Sequence, residues 1–88
     1  MTRLDVGDDL TIVTAAQTRD RMAPYLSAGT DLELDLSAVS ELDTAGLQLL
    51  LMARREAERH GTTVTLADPS PVVSELLEFT RLTGELEH

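Results

Sequence analysis

Residues Leu32–Met52 read L-E-L-D-L-S-A-V-S-E-L-D-T-A-G-L-Q-L-L-L-M, and the fold turns on how that stretch is read. Its first part alternates. Leu32, Leu34 and Leu36 fall on one face of an extended chain and Glu33 and Asp35 on the other, which predicts a half-buried strand over Asp31–Leu36. Ser37–Leu42 reads as a connecting loop with Val39 and Leu42 turned inward. At Thr44 the spacing changes to that of a helix, predicted to run to His60 and to stop at Gly61. Arg54, Arg55, Glu56, Glu58 and Arg59 give its second half a solvated, ion-pairing surface. A strand that passes through a polar turn into an apolar helix is the repeating element of an α/β fold.

The first half of that helix is unusually apolar. Gln48 is the only polar residue between Ala45 and Ala53, whereas a helix packed on one face of a sheet needs a stripe of roughly 100°. Either neighbouring elements cover the surplus, or it is a partner surface near the helix start. Gly46, with no Cβ, lets another backbone approach closely. Thr44 has three readings. Its hydroxyl can cap the helix, but Asp43 beside it can do the same, so one of the two is redundant and free. As a nucleophile it lacks a recognisable His–Asp relay. As a phosphoacceptor it would place a charge of about −1.5 to −2 at the positive end of the helix dipole.

Working outward, Leu4–Val6 and Leu10–Val13 flank Gly7-Asp8-Asp9 and are expected to form a small hairpin or two edge strands. Thr14 is an expected N-cap for a helix over Ala15–Leu26, in which Pro24 threatens a kink or a late start, and Gly29 is a left-handed C-cap. Thr62–Ala67 is a β-branched strand. Asp68-Pro69-Ser70-Pro71 forms a turn, and Ser70 caps a third helix with Pro71 at its first position. Its apolar stripe is Val72, Val73, Leu76, Leu77 and Phe79 or Thr80, and Arg81–Glu85 is expected to fray. The order β-β-α-β-α-β-α implies a small, mostly parallel sheet with helices packed on it.

Eighty-eight residues fit one domain, placed at residues 1–85. Leu86-Glu87-His88 resembles the start of an appended histidine tag. Sixteen acidic against seven basic residues give a net charge of −9, which disfavours nucleic acid and anionic membranes and favours a protein partner with a basic face. The chain has no cysteine, and His60 and His88 lack ligand spacing. No metal site, cofactor or catalytic pair is therefore expected, and the chain is read as a non-enzyme. With no apolar run near the roughly 20 residues of a membrane span and no signal-peptide pattern, the expected compartment is the cytoplasm.

The segment D-L-S-A-V-S-E-L-D-T-A-G-L-Q-L-L-L resembles the core motif of STAS domains, the anti-sigma factor antagonist family. Asp35, Ser37 and Val39 fit its D-x-S-x-V half. Asp43, Thr44, Ala45, Gly46 and Leu47 fit its D-[ST]-[SAG]-G-L half, and Ala67–Leu82 looks like the family's last strand, turn and helix. The resemblance implies a STAS-like α/β fold: a small, mostly parallel sheet with helices on one side and no catalysis of its own. It implies that Thr44 is phosphorylated by a partner kinase that is also the anti-sigma factor, and that the unmodified form binds that partner. The implied contact residues are Thr14, Ala15, Ser40, Asp43, Ala45, Gly46 and Leu47. Position 44 is Thr where Ser is commoner. The helix sequence is equally similar to two other STAS groups. One is the small subunit of phospholipid-transport ABC complexes, which docks to the ATPase; the other is the protein found beside chemotaxis-type kinases.

Overall fold

The computed structural model describes residues 2–80, with side chains up to Glu78. The fraying expected over Arg81–Glu85, the tag remnant at 86–88 and any packing by the Phe79 or Thr80 side chain lie outside that description. The elements are β1 Thr2–Asp5, β2 Asp9–Leu10, α1 Ala15–Ser27, β3 Leu32–Asp35, β4 Glu41–Leu42, α2 Thr44–Arg59, β5 Val64–Ala67 and α3 Pro71–Thr80. Three strands form a sheet in the order β1-β3-β5, and β2 pairs with β4. Every one of these pairings is parallel.

The alternation read over Asp31–Leu36 is realised in β3. Leu32, Leu34 and Leu36 are completely buried, and Glu33 and Asp35 lie on the other face. There Arg3, opposite Glu33 in register, binds Glu33 and also donates to Asp68 at 2.9 Å. The core on the leucine face combines these residues with Val6, Leu10, Met22, Leu26, Leu50, Ala53, Ala57, Val64, Val73 and Leu77. Full burial of one such Leu is worth roughly 1.5–3 kcal/mol, so this layer, and not the exposed ion pairs around Arg3, holds the sheet to the helices.

The first two strands do not form a hairpin. β1 is an edge strand beside β3, and β2 runs alongside β4, a short strand inside the segment read as the Ser37–Leu42 loop. The reason is a single acceptor: the Asp8 carbonyl takes the N–H groups of Ser40 and Glu41 at 2.9 and 3.1 Å, which starts the parallel pairing. Val39 is buried as expected, while Leu42 is half-buried.

The helix ends follow their sequence signals with one exception. Ser70 Oγ accepts from the Val73 N–H at 3.4 Å and opens α3. Gly29 has φ +70°, and Gly29 and Thr30 donate to the carbonyls of Leu26 and Tyr25, the double bond of a Schellman stop. The exception is Thr14, which stands at the N-cap position of α1 without capping it. Its hydroxyl donates instead to the Asp9 carbonyl at 2.6 Å. Pro24 neither delays nor ends α1, which continues to Ser27. It removes the N–H that would reach Asp20. An interior proline costs about 3 kcal/mol, against an unfolded-chain gain of about 0.4–1 kcal/mol. Pro24→Ala is therefore expected to raise stability by about 2–2.5 kcal/mol, read as a higher thermal midpoint in circular dichroism.

Candidate functional site

The residues of D-T-A-G-L divide at the start of α2 into those that build the fold and those that are left at its surface. Asp43 is the N-cap: its backbone is extended and its Oδ1 accepts from the Gly46 N–H at 2.9 Å. Its other oxygen, Oδ2, accepts from the Ile12 N–H at 3.0 Å. One carboxylate thus serves two segments 31 residues apart. Thr44, relieved of capping, is exposed at the first helical position, and no side-chain hydrogen bond involves it among the described residues. Ala45 is half-buried.

Gly46 explains itself by contact. A Cβ there would stand 1.9 Å from the Leu10 carbonyl oxygen and 2.8 Å from its carbon, so the backbone that approaches Gly46 is the chain's own β2. Leu47 is buried in the core. Gly46 and Leu47, expected at a partner face, are therefore packing residues beneath that face. What points outward from the first turns is Thr44 and Gln48. The apolar surplus read on α2 is largely absorbed, since Leu49 and Leu50 are buried and Leu51 and Met52 half-buried.

The exposed apolar surface lies next door. Ile12 and Val13 are 72% and 80% exposed, in the turn between β2 and α1. Beside them runs a groove between α1 and α2, lined by Ile12, Ala15, Ala16, Ala45, Leu49 and Met52 among others. Of the expected contact residues, Ala15 and Ala45 share this groove. Asp43 is tied to Ile12, and Thr14 anchors the turn through its bonds to Asp9 and to the Thr11 N–H. Ser40 does not line the groove; its hydroxyl donates to the Asp8 carbonyl at 3.2 Å. The sequence reading placed Ile12 and Val13 in a strand. One signal argues otherwise: a residue before an N-cap packs on the fourth helical residue, and for Val13 that residue is Thr18, which offers no apolar partner of the usual kind.

The other half of the motif is architectural. Asp35 Oδ1 accepts from both the N–H and the hydroxyl of Ser37, at 2.9 and 2.7 Å, which turns the chain out of β3 and sends Val39 into the core. The Ser37 hydroxyl and amide, with help from Arg3, hold the Asp35 carboxyl below its usual range. The Ile12 and Gly46 amides do the same for Asp43. Among the described residues no group of three or more His, Asp or Glu is placed to hold a metal ion.

Over residues 1–87 the chain matches the family model described as Mlab, STAS domain, and it belongs to that family. Among curated proteins none matches at a significant level. Its fold is shared by solved structures, among them three with the following likeness. One is a Thermotoga maritima protein assigned as an anti-sigma factor antagonist (TM-score 0.85, 20% identity, covering 97% of this chain and 74% of that one). The others are the anti-sigma factor antagonist SpoIIAA in its unphosphorylated form (0.71, 23%, 89% and 74%) and the Bacillus cell fate determinant SpoIIAA in the phosphorylated form (0.74, 22%, 99% and 80%). The STAS-like α/β fold expected from D-T-A-G-L is thus the fold observed.

Two outcomes test this geometry. Gly46→Ala gains about 1 kcal/mol of helix propensity, but its Cβ meets backbone that no rotamer change can move, and overpacking costs typically 1–3 kcal/mol. The clash prevails, and the variant is expected to unfold at a lower urea midpoint than wild type. Asp43 has a folded pKa below its unfolded value. Its contribution is present above the ordinary carboxylate pKa of about 4 and is lost as pH falls through the lowered value. Urea midpoints measured across that acid range should fall less steeply for Asp43→Asn than for wild type, with Asp35 supplying the remaining slope.

Proposed function

We propose that this chain is a regulatory protein-interaction module of the anti-sigma factor antagonist type, acting in the cytoplasm on a kinase that doubles as an anti-sigma factor and controlled by phosphorylation of Thr44. One observation carries the reading. Because the Asp43 carboxylate caps α2, the neighbouring hydroxyl is exposed and, among the described residues, makes no side-chain hydrogen bond. In the modification the γ-phosphoryl group of ATP is transferred to Thr44 Oγ1, ADP leaves with the broken P–O bond, and the hydroxyl proton goes to solvent. The phosphate would sit at the positive end of α2, beside Ile12, Val13 and the α1–α2 groove, where a docking partner would meet it. Fold relatives of this chain include SpoIIAA solved with and without phosphate, which supports the same reading here. The net charge of −9 suits a partner with a basic face and argues against nucleic acid. No described helix is long and apolar enough to cross a membrane.

The exposed Ile12 and Val13 also favour a second reading that needs no modification: a small subunit docking to the ATPase of a phospholipid-transport ABC complex. A chemotaxis-type kinase is a further partner of the same kind. In each case the chain binds and does no chemistry itself.

Incubation with a neighbouring kinase and ATP is expected to raise the intact mass of wild type by one phosphate and to leave Thr44→Ala unchanged. Equal labelling of the two would remove Thr44 as the acceptor. Thr44→Ala should keep wild-type stability within about 0.5 kcal/mol, since the side chain is exposed and unbonded. Thr44→Glu is expected to weaken kinase binding; co-purification of Thr44→Glu with an ABC ATPase at wild-type yield would instead select the docking subunit.

A further inference from the structure

We propose that Asp43 is a positioning residue that couples the charge at position 44 to the Ile12–Val13 turn, so that a phosphate on Thr44 releases that turn as a docking element. The inference rests on Thr44 being a phosphoacceptor, and it adds how the modification is transmitted.

The coupling follows from the number of donors and acceptors. The Asp43 carboxylate is held by backbone amides on both sides: Oδ1 accepts from Gly46 and Oδ2 from Ile12, and the Ala45 amide of the same first helical turn adds to the α2 side. Ile12 and Val13 are too exposed for apolar burial to fix them. The Val13 N–H bonds only locally, to Thr11 Oγ1 at 3.2 Å. Among the described residues, the bond from Ile12 to Asp43 is therefore the hydrogen bond that ties these two residues to the α2 end of the molecule.

A phosphate on Thr44 places about −1.5 to −2 charges next to the Asp43 carboxylate. Its oxygens can take the first-turn amides that a helix N-terminus leaves without carbonyl partners, including the one Asp43 now caps. Repulsion and competition for the same donors both turn the carboxylate away. The helix keeps an anion at its N-terminus and stays formed. The Ile12 amide has no such substitute and loses its bond. The turn then gains freedom that a partner must remove again on docking, which weakens binding through entropy.

The test needs no kinase. Phosphothreonine is installed at position 44 by genetic-code expansion, and amide exchange is followed by NMR in wild type, the phosphothreonine protein, Asp43→Ser and the two combined. Serine at 43 can still cap Gly46 but is too short to serve Ile12 as well. Ile12 exchange is expected to quicken about tenfold in the phosphothreonine protein, the effect of losing one backbone hydrogen bond. It should quicken similarly in Asp43→Ser and no further when the two are combined, while Leu47 and Leu50 keep their protection. Unchanged Ile12 exchange on phosphorylation overturns the proposal, as do additive effects in the combined protein or matching losses at Leu47. Asp43→Asn, which keeps the side-chain shape but offers a single acceptor oxygen, replaces Asp43→Ser if the latter does not fold. A failure to find a kinase would count against Thr44 as a natural acceptor and leave this result standing, whereas unchanged exchange would remove the coupling alone.

Discussion

The first turn of α2 lies directly on the backbone of Leu10, and the rest of the molecule is arranged around that approach. It is possible because position 46 has no side chain: a Cβ would fall 1.9 Å from the Leu10 carbonyl oxygen. It is fixed because Asp43 bonds to an amide on each side of it. From this contact α2 extends across the sheet, burying Leu47, Leu50, Ala53 and Ala57 against the strands. The same contact brings the turn before α1 beside the helix start. A packing constraint inside the fold thereby creates a composite surface outside it.

The two aspartates of the motif illustrate how one residue type serves different ends. Asp35 folds back on Ser37, two residues away, and closes a strand. Asp43 reaches across to Ile12 as well as forward to Gly46. Both are held ionised by hydrogen bonds to backbone amides and hydroxyls, so an acidic chain uses part of its negative charge as structure. Arg3 does comparable work on the polar face of the sheet, gathering Glu33, Asp35 and Asp68 where an unrelieved row of carboxylates would repel.

Much of this was legible in the residues. The strand over Asp31–Leu36, the helix from Thr44 and the helix opened by Ser70-Pro71 each have a local signal strong enough to stand alone: alternation, helical spacing, a cap. The redundancy of Asp43 and Thr44 as caps was also legible, and the structure resolves it in favour of Asp43. The pairing of β2 with β4 was not, because a two-residue strand has no period to read and its partner is set by the Asp8 carbonyl far away in sequence. Nor was the exposure of Ile12 and Val13, two β-branched residues whose composition says strand and whose place in a tight turn says surface.

By itself the sequence determined the class of fold, its membership of the STAS family through D-T-A-G-L, and the hydroxyl around which a regulatory reading is built. These are local matters of period, propensity and motif. Only the tertiary structure decided what approaches Gly46, which residues of the motif face outward, and which distant loop shares Asp43. Those outcomes depend on where remote segments come to lie, and a carboxylate with two oxygens does not declare in sequence which second amide it will find.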